Sequence, residues 1–122
     1  MPDESFDLNL LNQVSKEGAI VPSIWPLEIG NVLLLSERKM RITLEQRQKA
    51  LHVLTELPII VDTMTSHNAW LETMELADRH NLTLYDATYL ELSLRRSLPV
   101  ATSDKQLKKA AELSGIRVLP LK

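Results

Sequence analysis

Apolar residues recur along this chain in two rhythms. Long segments repeat them every three or four positions and short segments carry them unbroken, so the pattern predicts helices separated by brief strands. Phe6, Leu8, Leu10, Leu11 and Val14 predict a first helix that ends near Gly18. Ala19 to Val21 reads as a strand, kept short by Pro22 and Pro26. From Pro26 onward Leu27, Ile29, Val32, Leu33, Leu34 and Leu35 put apolar groups on more than one face, which predicts a buried helix. Thr43 and Gln46 have capping-box spacing before a third helix, whose Ala50, Leu51, Leu54 and Leu57 recur at helical intervals until Pro58 ends it.

Ile59, Ile60 and Val61 form a continuous β-branched run, the pattern of a short buried strand. Thr65 and Ser66 are the expected caps of the next helix, with Ala69, Trp70, Thr73, Met74 and Ala77 as its buried face, and the His80-Asn81 pair interrupts it. A further helix is predicted from Leu84 to Arg96, a strand from Pro99 to Thr102, a helix from Lys105 to Ser114 closed by Gly115, and a strand from Ile116 to Leu119. The last three elements read as a βαβ unit, which favours parallel strands joined by a right-handed crossover. The expected architecture is a single three-layer α/β/α domain spanning residues 1–122, with a mainly parallel central sheet.

Composition narrows the chemistry. A chain of 122 residues with 44% hydrophobic positions suffices for one core. The absence of cysteine excludes disulfides, thiolate catalysis and cysteine zinc sites, and His52, His67 and His80 are too far apart for a local histidine-ligand motif. Any metal is therefore expected on carboxylates. With neither a charged leader nor an apolar run of membrane-spanning length, a cytoplasmic protein without membrane contact is the expectation. Fourteen basic against sixteen acidic residues give a net charge of −2, so no global positive field marks a nucleic-acid binder. Basic residues cluster at Arg38, Lys39 and Arg41, at Arg95 and Arg96, and at Lys105, Lys108 and Lys109. Each cluster reads as solvated helix surface or as a phosphate contact.

Three carboxylates fall where one element should turn into the next: Glu28, Asp86 and Asp104. Glu28 belongs in a first helical turn, where the helix dipole favours a negative charge, yet its neighbours at helical spacing, Val32 and Leu35, are apolar. Asp86 sits among Leu84, Tyr85, Ala87, Tyr89, Leu90, Leu92 and Leu94, a segment with little polar face, and is otherwise explained as a helix-start acid aided by Thr83. Asp104 precedes Lys105-Gln106-Leu107 as a helix cap would, and it also follows the carboxyl end of a strand, where ligands gather in parallel α/β sheets. Brought together, the three would form an acidic pocket for a hard divalent cation.

The ordered segments Pro26-Leu27-Glu28-Ile29-Gly30-Asn31-Val32-Leu33, Leu82-Thr83-Leu84-Tyr85-Asp86-Ala87-Thr88-Tyr89-Leu90 and Leu98-Pro99-Val100-Ala101-Thr102-Ser103-Asp104 resemble those of PIN-domain ribonucleases, specifically VapC-type toxins. The resemblance runs from about Glu17 to Leu119. It implies a ribonuclease using Mg²⁺ or Mn²⁺, with Glu28, Asp86 and Asp104 as metal and catalytic positions and Thr102 as a catalytic hydroxyl position. Asn31 and Ser103 are weaker supporting positions. It also implies an RNA substrate, a cognate antitoxin and a homodimer partner. Family members usually open with an apolar strand ending in aspartate, whereas Met1-Pro2-Asp3-Glu4 resembles the segment after it. The expectation is an N-terminally shortened domain in which neither Asp3 nor Asp7 substitutes for that aspartate. The alternative is a non-catalytic PIN-like binding module that keeps antitoxin or dimer contacts.

Overall fold

The computed structural model describes residues 8–120. Phe6, Asp3 and Asp7 lie outside them. The elements follow in the order α1 (Leu8–Glu17), β1 (Ala19–Val21), α2 (Trp25–Arg38), α3 (Leu44–Glu56), β2 (Ile59–Val61), α4 (Thr65–Asn68), α5 (Glu72–His80), α6 (Leu84–Arg96), β3 (Val100–Thr102), α7 (Lys105–Leu113) and β4 (Val118–Pro120). Local chemistry sets most of the boundaries. Gly18, at φ +82°, closes α1 by donating its N–H to the Val14 carbonyl at 2.7 Å, and a Cβ there would come within 3.1 Å of the Pro58 carbonyl oxygen. Pro26 occupies the first turn of α2. At α3 the predicted capping box is formed, with Gln46 N–H on Thr43 Oγ1 at 3.1 Å and Thr43 N–H on Gln46 Oε1 at 2.8 Å.

All strand pairing is parallel. β1 lies beside β2 with Ile20 opposite Ile60, and β3 lies beside β4 with Ala101 opposite Leu119. The helices cover this sheet layer in a three-layer α/β/α arrangement, and β3–α7–β4 is the βαβ unit expected from the sequence. Among the described residues the two strand pairs are not hydrogen-bonded to each other. A groove of about 710 Å³ adjoins both, with Ile20 of β1, Ala101 of β3, and Trp25, Ile29 and Tyr89 among its walls. Ala19 N–H bonds the Pro58 carbonyl at 3.1 Å and Val100 N–H bonds the Arg117 carbonyl at 3.0 Å. Alternation along a parallel strand then turns the N–H and C=O of Ile20 and Ala101 away from β2 and β4.

The main core joins α5, α6, α7, β3 and β4. Leu76, Leu82, Ala87, Leu90, Val100, Leu107, Ala110 and Ala111 form one buried cluster. Three burial expectations are corrected. β2 is not a buried strand: Ile60 is 61% and Val61 42% exposed, because it has β1 alone as a neighbour in its sheet. The buried residues of α2 are Leu33 and Ser36, while Leu27 is 76% exposed. The segment after Thr65 is two helices rather than one. Leu71, at φ −114° and ψ −110°, breaks it and resets the helical phase, so Thr73 and Leu76 are buried while Trp70 and Met74 face solvent. Thr65 and Ser66 do not cap α4, which has no side-chain cap bond.

Thr65 instead joins a buried polar network that the sequence pattern did not reveal. Its hydroxyl accepts the Ser23 N–H at 3.0 Å and donates to Asp62 Oδ2 at 2.9 Å. Arg95 grips Asp62 through two nitrogens, at 3.0 and 2.8 Å, and reaches Glu91 through Nε at 2.7 Å and Nη2 at 3.0 Å. Asn68 Nδ2 donates to the same Glu91 at 3.1 Å. Asp62 and Glu91 are both buried, and such carboxylates stay charged in a protein interior only when paired and hydrogen-bonded. The Arg95 hydrogen bonds hold the Asp62 carboxyl down at about 2, against an opposing push from burial.

Arg95→Ala strands two buried carboxylates, so an expected loss of about 3–5 kcal/mol should appear in urea unfolding at neutral pH. The folded-state value of Asp62 lies below its ordinary value of 3.8. Its contribution is therefore full above that ordinary value and is lost as pH falls through about 2. An acid unfolding series should show a shallower decline over that window in Asp62→Asn than in the wild type.

Candidate active site

Three element starts come to one end of the domain. Thr83 caps α6 by accepting the Asp86 N–H at 3.1 Å, which fixes Asp86 in the first turn. Asp104 caps α7, its Oδ2 accepting the Leu107 N–H at 2.8 Å, and Thr102 at the end of β3 accepts the Asp104 N–H at 3.0 Å. Glu28 projects from the first turn of α2. Each acid thus has the structural role its position allows, and the question becomes what the three do to one another.

Asp86 senses the charge of Asp104. The Asp86 carboxyl is raised above the ordinary carboxylate value, first by burial and then by the negative charge of Asp104, with Thr83 offsetting part of the rise. Glu28 enters through an intermediary: the Tyr89 hydroxyl, one turn beyond Asp86 on α6, donates a hydrogen bond to Glu28 Oε1. Burial pushes Tyr89 far above the ordinary phenol value, and the hydrogen bond to Glu28 and the charges of Glu28 and Asp86 push the same way. Glu28, Tyr89, Asp86 and Asp104 therefore form one electrostatic neighbourhood built from α2, α6 and the β3–α7 turn.

The acids are not gathered around a single point. Among the described residues no three Asp, Glu, His or Cys side chains lie close enough to hold one metal ion together. The donor set still suits a hard divalent cation, since it consists of carboxylate oxygens with an adjacent hydroxyl, and its uncompensated negative charge is what a cation relieves. Asn31 and Ser103 are exposed beside Glu28 and Asp104.

Sequence reasoning missed Tyr89 as a polar participant, having counted it with the apolar positions of its helix. The available signal was the three-residue spacing from Asp86, which puts the two on one face. The basic pair at the end of α6 is also corrected. Arg95 is committed to Asp62 and Glu91, so it does not form a free phosphate contact with Arg96. Lys105, Lys108 and Lys109 are exposed on α7, directly after Asp104.

The fold and the sequence together define a class. Residues 3–113 match the PIN domain family, to which the chain therefore belongs. Within that family it is of the VapC type. It is 32% identical over 92 residues to Ribonuclease VapC1 of Mycobacterium tuberculosis strain CDC 1551 / Oshkosh, covering 75% of this chain and 67% of the relative. The same figures hold for Ribonuclease VapC1 of strain ATCC 25618 / H37Rv.

The raised Asp86 carboxyl carries a stability consequence. Its ionised form is disfavoured in the folded protein, so the penalty is absent below its ordinary value of 3.8 and full above its folded value. In metal-free protein at neutral pH, Asp86→Asn should melt higher than the wild type. Differential scanning calorimetry in EDTA should show that gain shrinking as pH approaches 4, on the order of the ordinary carboxylate value.

Proposed function

We propose that the chain is a metal-dependent endoribonuclease of the VapC toxin type, hydrolysing RNA phosphodiester bonds with Mg²⁺ or Mn²⁺ held by Glu28, Asp86 and Asp104. The observation that carries this reading is that Asp86, in the first turn of α6, and Asp104, the cap of α7, are like-charged carboxylates close enough for the charge of Asp104 to raise the Asp86 carboxyl. Each of the other acids has one oxygen engaged, Asp104 by Leu107 N–H and Glu28 by Tyr89. That leaves a second carboxylate oxygen on each to face a cation. Thr102 keeps Asp104 at the strand end through the backbone N–H it accepts.

A bound divalent cation supplies charge neutralisation at the phosphate and a lowered pKa for the attacking water. The residues contribute placement: α6 presents Asp86, the β3–α7 turn presents Asp104, and neither requires a protein nucleophile. The exposed Lys105, Lys108 and Lys109 lie beside Asp104 for backbone phosphates, and Tyr85, 66% exposed and next to Asp86, offers an aromatic ring to an unstacked base. Single-stranded or looped RNA is the substrate such features suit. A cognate antitoxin and a second copy of the chain are the protein partners of this reading, and exposed Leu27 and Trp70 are apolar surface open to them. No described helix is long and apolar enough to cross a membrane.

The second reading is a binding module without turnover, favoured by the failure of any three acids among the described residues to close on one point. Cleavage of a mixed RNA pool with Mg²⁺ or Mn²⁺ separates the two. Loss of an outer-shell partner already costs about 10–100-fold in metal sites, so Asp86→Asn should lower cleavage by at least roughly 100-fold, and EDTA should abolish it. Unchanged cleavage by Asp86→Asn sinks the metal-site assignment. A folded wild type that binds RNA without cutting it supports the binding module.

A further inference from the structure

The groove between the strand pairs is bordered by two unfilled strand edges. On β1, Ala19 and Val21 direct their backbone groups to β2; on β3, Val100 and Thr102 direct theirs to β4. Ile20 and Ala101, between them, therefore turn an N–H and a C=O each to the other side. Both residues line the groove and both are half-buried. Among the described residues no strand pairing joins the two pairs, so these donors and acceptors have no strand partner. Partly buried backbone groups left in that state are costly. The walls are apolar, with Val14 from α1, Trp25 and Ile29 from α2 and Leu92 from α6, while the charged Lys16 and Glu17 in the lining are exposed at the last turn of α1.

We propose that this groove is a docking slot for one extended apolar strand of a partner polypeptide, which hydrogen-bonds Ile20 on one side and Ala101 on the other and joins the two strand pairs into one sheet. A small apolar ligand would fill the walls and leave both edges unpaired; a strand satisfies the two together. Alternate residues of a strand send their backbone groups to opposite sides, so roughly four consecutive residues reach both edges. Helices wall the slot, which calls for a continuous apolar run, and a charged residue placed inside would meet no partner. The segments outside the described residues have other chemistry: Met1 to Asp7 carries Pro2, Asp3, Glu4 and Asp7, and Leu121-Lys122 is too short. Docking needs neither a metal nor turnover. It also ties the β1–β2 pair, which lies outside the main core cluster, to the rest of the domain. The bland explanation is a hydrated cleft in which water meets the Ile20 and Ala101 groups.

The probe is a short synthetic peptide of alternating valine and isoleucine with lysines at both ends for solubility, titrated calorimetrically into the whole chain. Its control is the same peptide N-methylated at every second residue, which keeps the apolar surface and removes the donors to one edge. The expected result is saturable binding of one equivalent, a raised melting temperature and binding about 10-fold weaker for the control. Amide exchange followed by NMR locates the contact: the Ile20 and Ala101 amides should exchange faster than those of Ala19 and Val100 in the free protein, and slow when the peptide binds. Absence of binding overturns the proposal, as does equal affinity for both peptides without protection of Ile20 and Ala101. Protection of those two amides in a peptide-free dimer, lost on dilution to monomer, makes a second copy the occupant and overturns the partner strand.

Discussion

The Arg95 guanidinium joins parts of the molecule that apolar packing leaves loosely connected. The main core binds α5, α6, α7 and the β3–β4 pair, and the β1–β2 pair lies outside that cluster. Asp62, just past the end of β2, is seated on α6 through two Arg95 nitrogens, and Glu91 and Asn68 complete the attachment. A single apolar replacement could not do this, because two buried carboxylates need a planar donor that reaches both. The parallel between charge and architecture is direct: the cation that neutralises Asp62 also fixes where the first strand pair sits relative to α6.

That helix then carries opposite electrostatics at its two ends. Near its C-terminus, acids are matched by Arg95 and Asp62 is held well below the ordinary carboxylate value. In its first turn Asp86 faces Asp104 and is driven the other way. Burial raises both carboxyls; the Arg95 hydrogen bonds overcome it at Asp62, whereas at Asp86 the charge of Asp104 adds to it. Paired charge at one end of α6 supports the fold, and like charge at the other end works against it.

The caps, prolines and helical spacings that ended each element were legible because they act within a few residues. Thr43 with Gln46, Thr83 with Asp86 and Asp104 with Leu107 are all three residues apart, and the boundaries they predict are those observed. The site acids were legible for the same reason, each lying at an element start. Burial was less so. Trp70 and Met74 have the right spacing for a continuous helix, but the break at Leu71 moves them to the outside. Arg95 with Asp62 and Tyr89 with Glu28 pair across 33 and 61 positions, and no local pattern encodes which distant carboxylate a given donor meets.

The groove between the strand pairs ties the apolar and acidic features together. Tyr89, Trp25 and Ile29 are in its walls, and Glu28 lies between the last two on α2. Apolar walls lower the effective dielectric around the Tyr89 hydroxyl, which strengthens its hydrogen bond to Glu28. Burial acts the other way at Asp86, where it raises the carboxyl and the charge of Asp104 adds to the rise. A more open, solvated setting would weaken both effects. The surroundings of Tyr89 and Asp86, more than their identity, set both groups apart from ordinary surface side chains.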